Sequence, residues 1–89
     1  MDPNQQSALE FPCRFPIKAM GRADSTLAHD VESLVRRHVP DLKPEDVATR
    51  PSARGNYVSI TVTITATSRE QLDAIYLDLN AHEQILMTL

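Results

Sequence analysis

The chain has 89 residues, twelve acidic against nine basic for a formal net charge of −3, with 42% hydrophobic and 24% charged residues. That length holds one domain with a modest two-layer core, and the composition is that of a globular chain rather than a disordered one. The acidic balance argues against a nucleic-acid partner, no apolar run reaches membrane-span length, and the polar start Met1–Gln6 lacks the basic and apolar regions of a signal peptide, so a cytoplasmic protein is expected.

Residues 1–10 read as a flexible N-terminal arm, which leaves 11–89 as the folded domain. From Phe11 to Met20 the residues alternate, with Phe11, Cys13, Phe15, Ile17 and Ala19 on one side, the period of a strand. Pro12 and Pro16 restrict its pairing, so the regular part is expected over Phe15–Met20, with Gly21 as punctuation. Asp24, Ser25 and Thr26 are competent helix caps, and behind them Leu27, Val31, Leu34, Val35 and His38 recur at helical spacing. Pro40 disfavours helix at Val39 and ends this element.

After a connector over 41–46, Val47–Pro51 reads as a short second strand whose Arg50 and Pro51 suit a sheet edge. The loop 52–56 turns the chain into its clearest strand, Tyr57–Thr67, where Val58, Ile60, Val62, Ile64 and Ala66 alternate with hydroxyl residues. Such a strand has one buried and one wetter face, as in the centre of an antiparallel sheet. Ser68 and Gln71 form a capping box, with Thr67 and Glu70 as an overlapping alternative, ahead of a stripe of Leu72, Ile75, Tyr76 and Leu79. Asn80 marks its end, and Ile85–Leu89 closes the chain as a fourth strand. The order β-α-β-β-α-β predicts an α+β ferredoxin-like sandwich: a four-stranded antiparallel sheet in the order 4-1-3-2, with two helices on one face.

Leu9–Cys13, Lys18–Gly21, Pro51–Tyr57 and Ser68–Leu72 together resemble the YbeD-like family of small bacterial proteins, over nearly the whole chain from Leu9. The resemblance implies a ferredoxin-like fold similar to that of ACT regulatory domains, and the family's label is that of a lipoate-related regulator. It implies no catalytic residues. Ala53 departs from it, standing where a second serine is common.

The residues supply no catalytic machinery of their own, so the chain is expected not to be an enzyme and to hold no cofactor or metal. Cys13 is the only cysteine, which excludes an intramolecular disulfide, and no base is committed to it. Gly21 and Gly55 are the only glycines, too few for a phosphate loop, and each reads as a turn residue with positive φ. His29 and His38 lie nine positions apart, wrong for sharing a metal on one helix face. The long strand offers serine and threonines, with an aromatic only at Tyr57, so it lacks the stacking platform of an RNA-recognition motif.

Topology gathers three connections at one end: 21–23, 52–56 and 80–82. Arg22, Arg50, Arg54 and His82 would then approach the first helix's N-terminus, which attracts anions. Lys18, Gly21, Arg22, Arg54, Gly55 and Asn56 are therefore the candidate ligand-binding residues, against the alternative of a solvated loop with scattered arginines. Two functions follow. One is an ACT-like regulatory domain sensing a small anionic metabolite; the other is a protein-interaction module working through a sheet edge or the open face. The fourth strand carries neither charge nor proline, so the expected states are a monomer or an edge-to-edge homodimer.

Overall fold

In the computed structural model, which describes residues 9–89, the elements run β1 (Cys13–Arg22), α1 (Leu27–His38), β2 (Val47–Pro51), β3 (Tyr57–Ala66), α2 (Arg69–Asn80) and β4 (Ile85–Thr88). A 3-10 turn, Pro44–Asp46, precedes β2. The strands form one antiparallel sheet in the order β2-β3-β1-β4, the expected order read from its other edge. Both helices lie on one face, giving the ferredoxin-like sandwich. Most of the expected N-terminal arm lies outside the described residues. Among the described residues no helix is long and apolar enough to cross a membrane.

The core is built from the strand and helix stripes in register. Ile17, Ala19, Ile60, Val62, Ile64 and Ala66 point from β1 and β3 against Leu27, Val31, Leu34 and Val35 of α1 and Leu72, Ile75 and Leu79 of α2, all buried. Burying a Leu or Ile side chain contributes about 1.5–3 kcal/mol, which is what holds the two layers together.

β1 is longer than its prolines suggested. It pairs with β3 along its whole length, from Cys13 opposite Ala66 to Arg22 opposite Tyr57, with Pro16 inside the ladder. The reason is parity. Lys18 exchanges both backbone hydrogen bonds with Leu89, so the even-numbered residues of β1 turn their N–H groups toward β4. Pro16 thus lacks its donor on the β4 side, at a level beyond the β1–β4 pairs, which begin at Lys18 and Leu89. The β3 ladder loses nothing.

Gly21 also departs from expectation. Among the described residues only Gly55 has positive φ, 76°. Gly21 is buried where the β1–β4 register shifts, and a Cβ there would strike the Gln84 carbonyl oxygen and the Leu27 side chain. Its missing side chain lets α1 and the α2–β4 connection close on the sheet.

The caps are local. Ser25 Oγ accepts from the Leu27 amide at 3.2 Å and donates to the Arg22 carbonyl at 2.7 Å, while Thr26 donates to Asp30. At α2, Ser68 Oγ accepts from the Gln71 amide at 3.1 Å. The return bond of the expected box goes one residue further back: Gln71 Oε1 accepts from the Thr67 amide at 2.8 Å.

Candidate functional site

Three surfaces are candidates: the loop end beside α1, the opposite end of the sheet, and the face that the helices leave uncovered. The loops do meet at the first. The Ala23 amide donates to the Asn56 carbonyl at 3.0 Å, and His82 Nε2 lies 3.2 Å from Asp30 Oδ2 in the first turn of α1. The 52–57 turn is tightly tied: Ser52 N donates to Tyr57 O, Tyr57 N to Ser52 Oγ, and Gly55 N to Ser52 O. Because the Gln84 amide donates to His82 Nδ1 at 3.1 Å, the proton of the neutral ring sits on Nε2 and faces Asp30.

Of the predicted residues, Gly21, Arg22, Arg54, Gly55 and Asn56 belong to this end. Lys18 does not. It lies four residues up β1 from Arg22, about 13 Å at strand rise, opposite Thr61 on the open face. Arg22 is within 3.4 Å of Asp24, and the groove of about 280 Å³ beside it is lined by Arg22, Asp24, Ser25, Glu83, Gln84 and Leu86. Two carboxylates there oppose an anion.

The opposite end holds the larger concavity, about 510 Å³, between the starts of β1 and β2 and the ends of α1 and β3. Two ion pairs stand at it. Arg14 bridges Asp46 at 2.9 Å and Thr65 at 3.1 Å, and His38 Nε2 stands 2.7 Å from Asp78. The Lys43 amide and then the Arg14 guanidinium hold the Asp46 carboxyl below its usual range. This network seats the 3-10 turn on the sheet.

The uncovered face is different in kind. Two rows cross all four strands: Arg50–Ser59–Met20–Met87, and beside it Ala48–Thr61–Lys18–Leu89. Two shallow hollows meet at Met20 and Ser59. One, a dimple of about 20 Å³, runs toward Met87, Leu89 and Lys18; the other, about 220 Å³, runs toward Arg50 and Tyr57. Met87, Leu89 and Tyr57 are 52%, 68% and 42% exposed, a group of apolar side chains in water rather than scattered singles. The four strands carry Arg14, Lys18, Arg22 and Arg50 and no carboxylate at all, in a chain that is acidic overall. Lys18 and Arg50 have no ion-pair partner among the described residues.

Met20, Tyr57 and Met87 were not among the predicted site residues, and Arg50, expected near the N-terminus of α1, stands on the open face opposite Ser59. Alternation along β1 and β3 already put Met20 and Tyr57 outward; the missing signal was the β4 register that sets Met87 beside Met20.

Residues 6–89 match a family model described as a protein of unknown function (DUF493). A UPF0250 protein of Chromobacterium violaceum is 46% identical over 89 residues, covering 100% of both chains. A UPF0250 protein of Leptothrix cholodnii is 41% identical, covering 98% of this chain and 96% of that one. In structure, the chain is similar to the solution structure of HP0495 from H. pylori, with a TM-score of 0.69 at 12% identity over 100% of this chain and 96% of that one, a likeness of fold alone.

Proposed function

The chain belongs to the DUF493 (UPF0250) family of small bacterial proteins of unknown function, in line with the YbeD-like resemblance, and we propose that it acts as a non-enzymatic interaction module that docks a protein partner on the open face of its sheet. The observation that carries this reading is the group of Met20, Tyr57, Met87 and Leu89, exposed on the sheet face that neither helix covers. Apolar side chains grouped on one exposed face and rimmed by polar residues are a feature of protein-interaction surfaces. A regulatory role of the kind implied by the ACT resemblance would then be exerted through docking. The loop end serves a small anion less well, because Asp24 and Glu83 share the groove with Arg22.

Methionine oxidation footprinting tests the reading, since Met20 and Met87 are both exposed. In extract of its own cells both should oxidise more slowly than in buffer. Unchanged rates at both methionines would contradict it.

A further inference from the structure

We infer that the partner presents an acidic amphipathic helix, which lies across the hollows between Lys18 and Arg50. This rests on the docking reading and adds the chemistry of the occupant. Charge is segregated by layer: the sheet contributes cations only, while the carboxylates described stand on the helices, the connectors and the segment before β1. Lys18 and Arg50 flank Met20 and Ser59, and among the described residues no side-chain carboxylate pairs with either of them. An acidic surface is therefore attracted and a basic one repelled. Between the two cations lie Ser59, Thr61 and Met20, and on the far side of Lys18 stand Met87 and Leu89 of the β4 edge; methionine adapts its shape to apolar partners.

Helical form follows from the backbone. The face of a sheet offers no unpaired N–H or C=O, because these bonds lie in the sheet plane. An extended segment pressed on it would bury its own polar groups unsatisfied, whereas a helix satisfies them internally. The spacing agrees. Arg50 lies two strands over and two residues along from Lys18, so their Cα atoms are about 12 Å apart at about 4.8 Å per strand and 3.4 Å per residue. Carboxylates seven or eight residues apart on one helix stripe span about 10–12 Å. Nucleic acid is the poorer fit, since Tyr57 is the sole aromatic on this face.

The test titrates the isotope-labelled full chain with a synthetic leucine-glutamate helix carrying glutamates seven apart. The comparison probes are the same peptide with every glutamate replaced by lysine, and a single-stranded RNA. The acidic helix should move the NMR signals of Lys18, Met20, Arg50, Ser59 and Met87, and should release as salt approaches about 1 M, where charges are screened within about 3 Å. The Lys18→Glu, Arg50→Glu double variant should bind it at least about tenfold more weakly, while Arg37→Glu on α1 should leave binding within about twofold. Both changes are at exposed positions, and an unaltered melting temperature checks the fold. Absence of binding, equal binding of the lysine peptide or the RNA, or signals moving at the loop end would overturn the inference. So would light scattering that grows with concentration and is abolished by Lys18→Glu, because the occupant would then be a second copy. Methionine protection in extract together with failure of the acidic helix would retain the docking reading and reject this partner class.

Discussion

The two faces of this sheet use the same strands, residue by residue, for opposite ends. Ile17, Ala19, Ile60, Val62, Ile64 and Ala66 turn inward and are at most 2% exposed. Their immediate neighbours Lys18, Met20, Ser59, Thr61, Thr63 and Thr65 turn outward, away from both helices. An antiparallel sheet with helices on one side needs only one apolar face to fold. The other face is free to carry interaction chemistry, and here it carries cations, hydroxyls and methionines.

Substitutions one residue apart should show this division most strongly. Ile64→Ala opens a cavity beneath both helices and should cost about 2–5 kcal/mol in denaturant unfolding. Thr61→Ala, on the open face, should stay within about 0.5 kcal/mol. Equal costs would mean that the outward face is also structural. Gly21→Ala comes next. Its Cβ meets the Gln84 backbone and Leu27, so the covered face cannot close without shifting, at about 1–3 kcal/mol. A matching loss at Gly55→Ala would arise from positive φ alone, since nothing lies near that position.

A smaller effect joins the two faces. The Tyr76 hydroxyl of α2 donates to the Leu89 backbone oxygen at 2.8 Å, holding the end of β4 so that Met87 stays beside Met20. Burial raises the Tyr76 phenol above its usual value of 10.0. The unfolded chain therefore ionises first as pH rises past that value, so stability present below it is lost progressively until the folded phenol also ionises. Tyr76→Phe should remove this alkaline loss and cost about 0.5–1.5 kcal/mol at neutral pH. Thermal melts across the alkaline range check both.

Much of the inward face was readable from alternation, because Val58–Ala66 and Leu72–Leu79 repeat at the periods of a strand and a helix. Pro16 misled because its cost depends on which neighbour its nitrogen faces, a property of sheet order rather than of the strand itself. Gly21 misled for a similar reason, since its need is a close approach by Leu27 and Gln84 from distant parts of the chain. For the candidate site, topology correctly brought 21–23 and 52–56 together, yet Lys18 followed the strand away from them. The outward row Arg50–Ser59–Met20–Met87 joins four separated segments and exists only once every register is set.

Site-specific photo-crosslinking from the two layers tests most directly whether the uncovered face is the working surface. A photoreactive side chain placed at Thr61, between Lys18 and Ala48 on the open face, is compared in living cells with one at exposed Asp73 on α2. Discrete adducts to one protein from Thr61, lost on adding Lys18→Glu and Arg50→Glu, are the expected result, with none from Asp73. Adducts from Asp73 with none from Thr61 would contradict it and assign the partner to the helical layer.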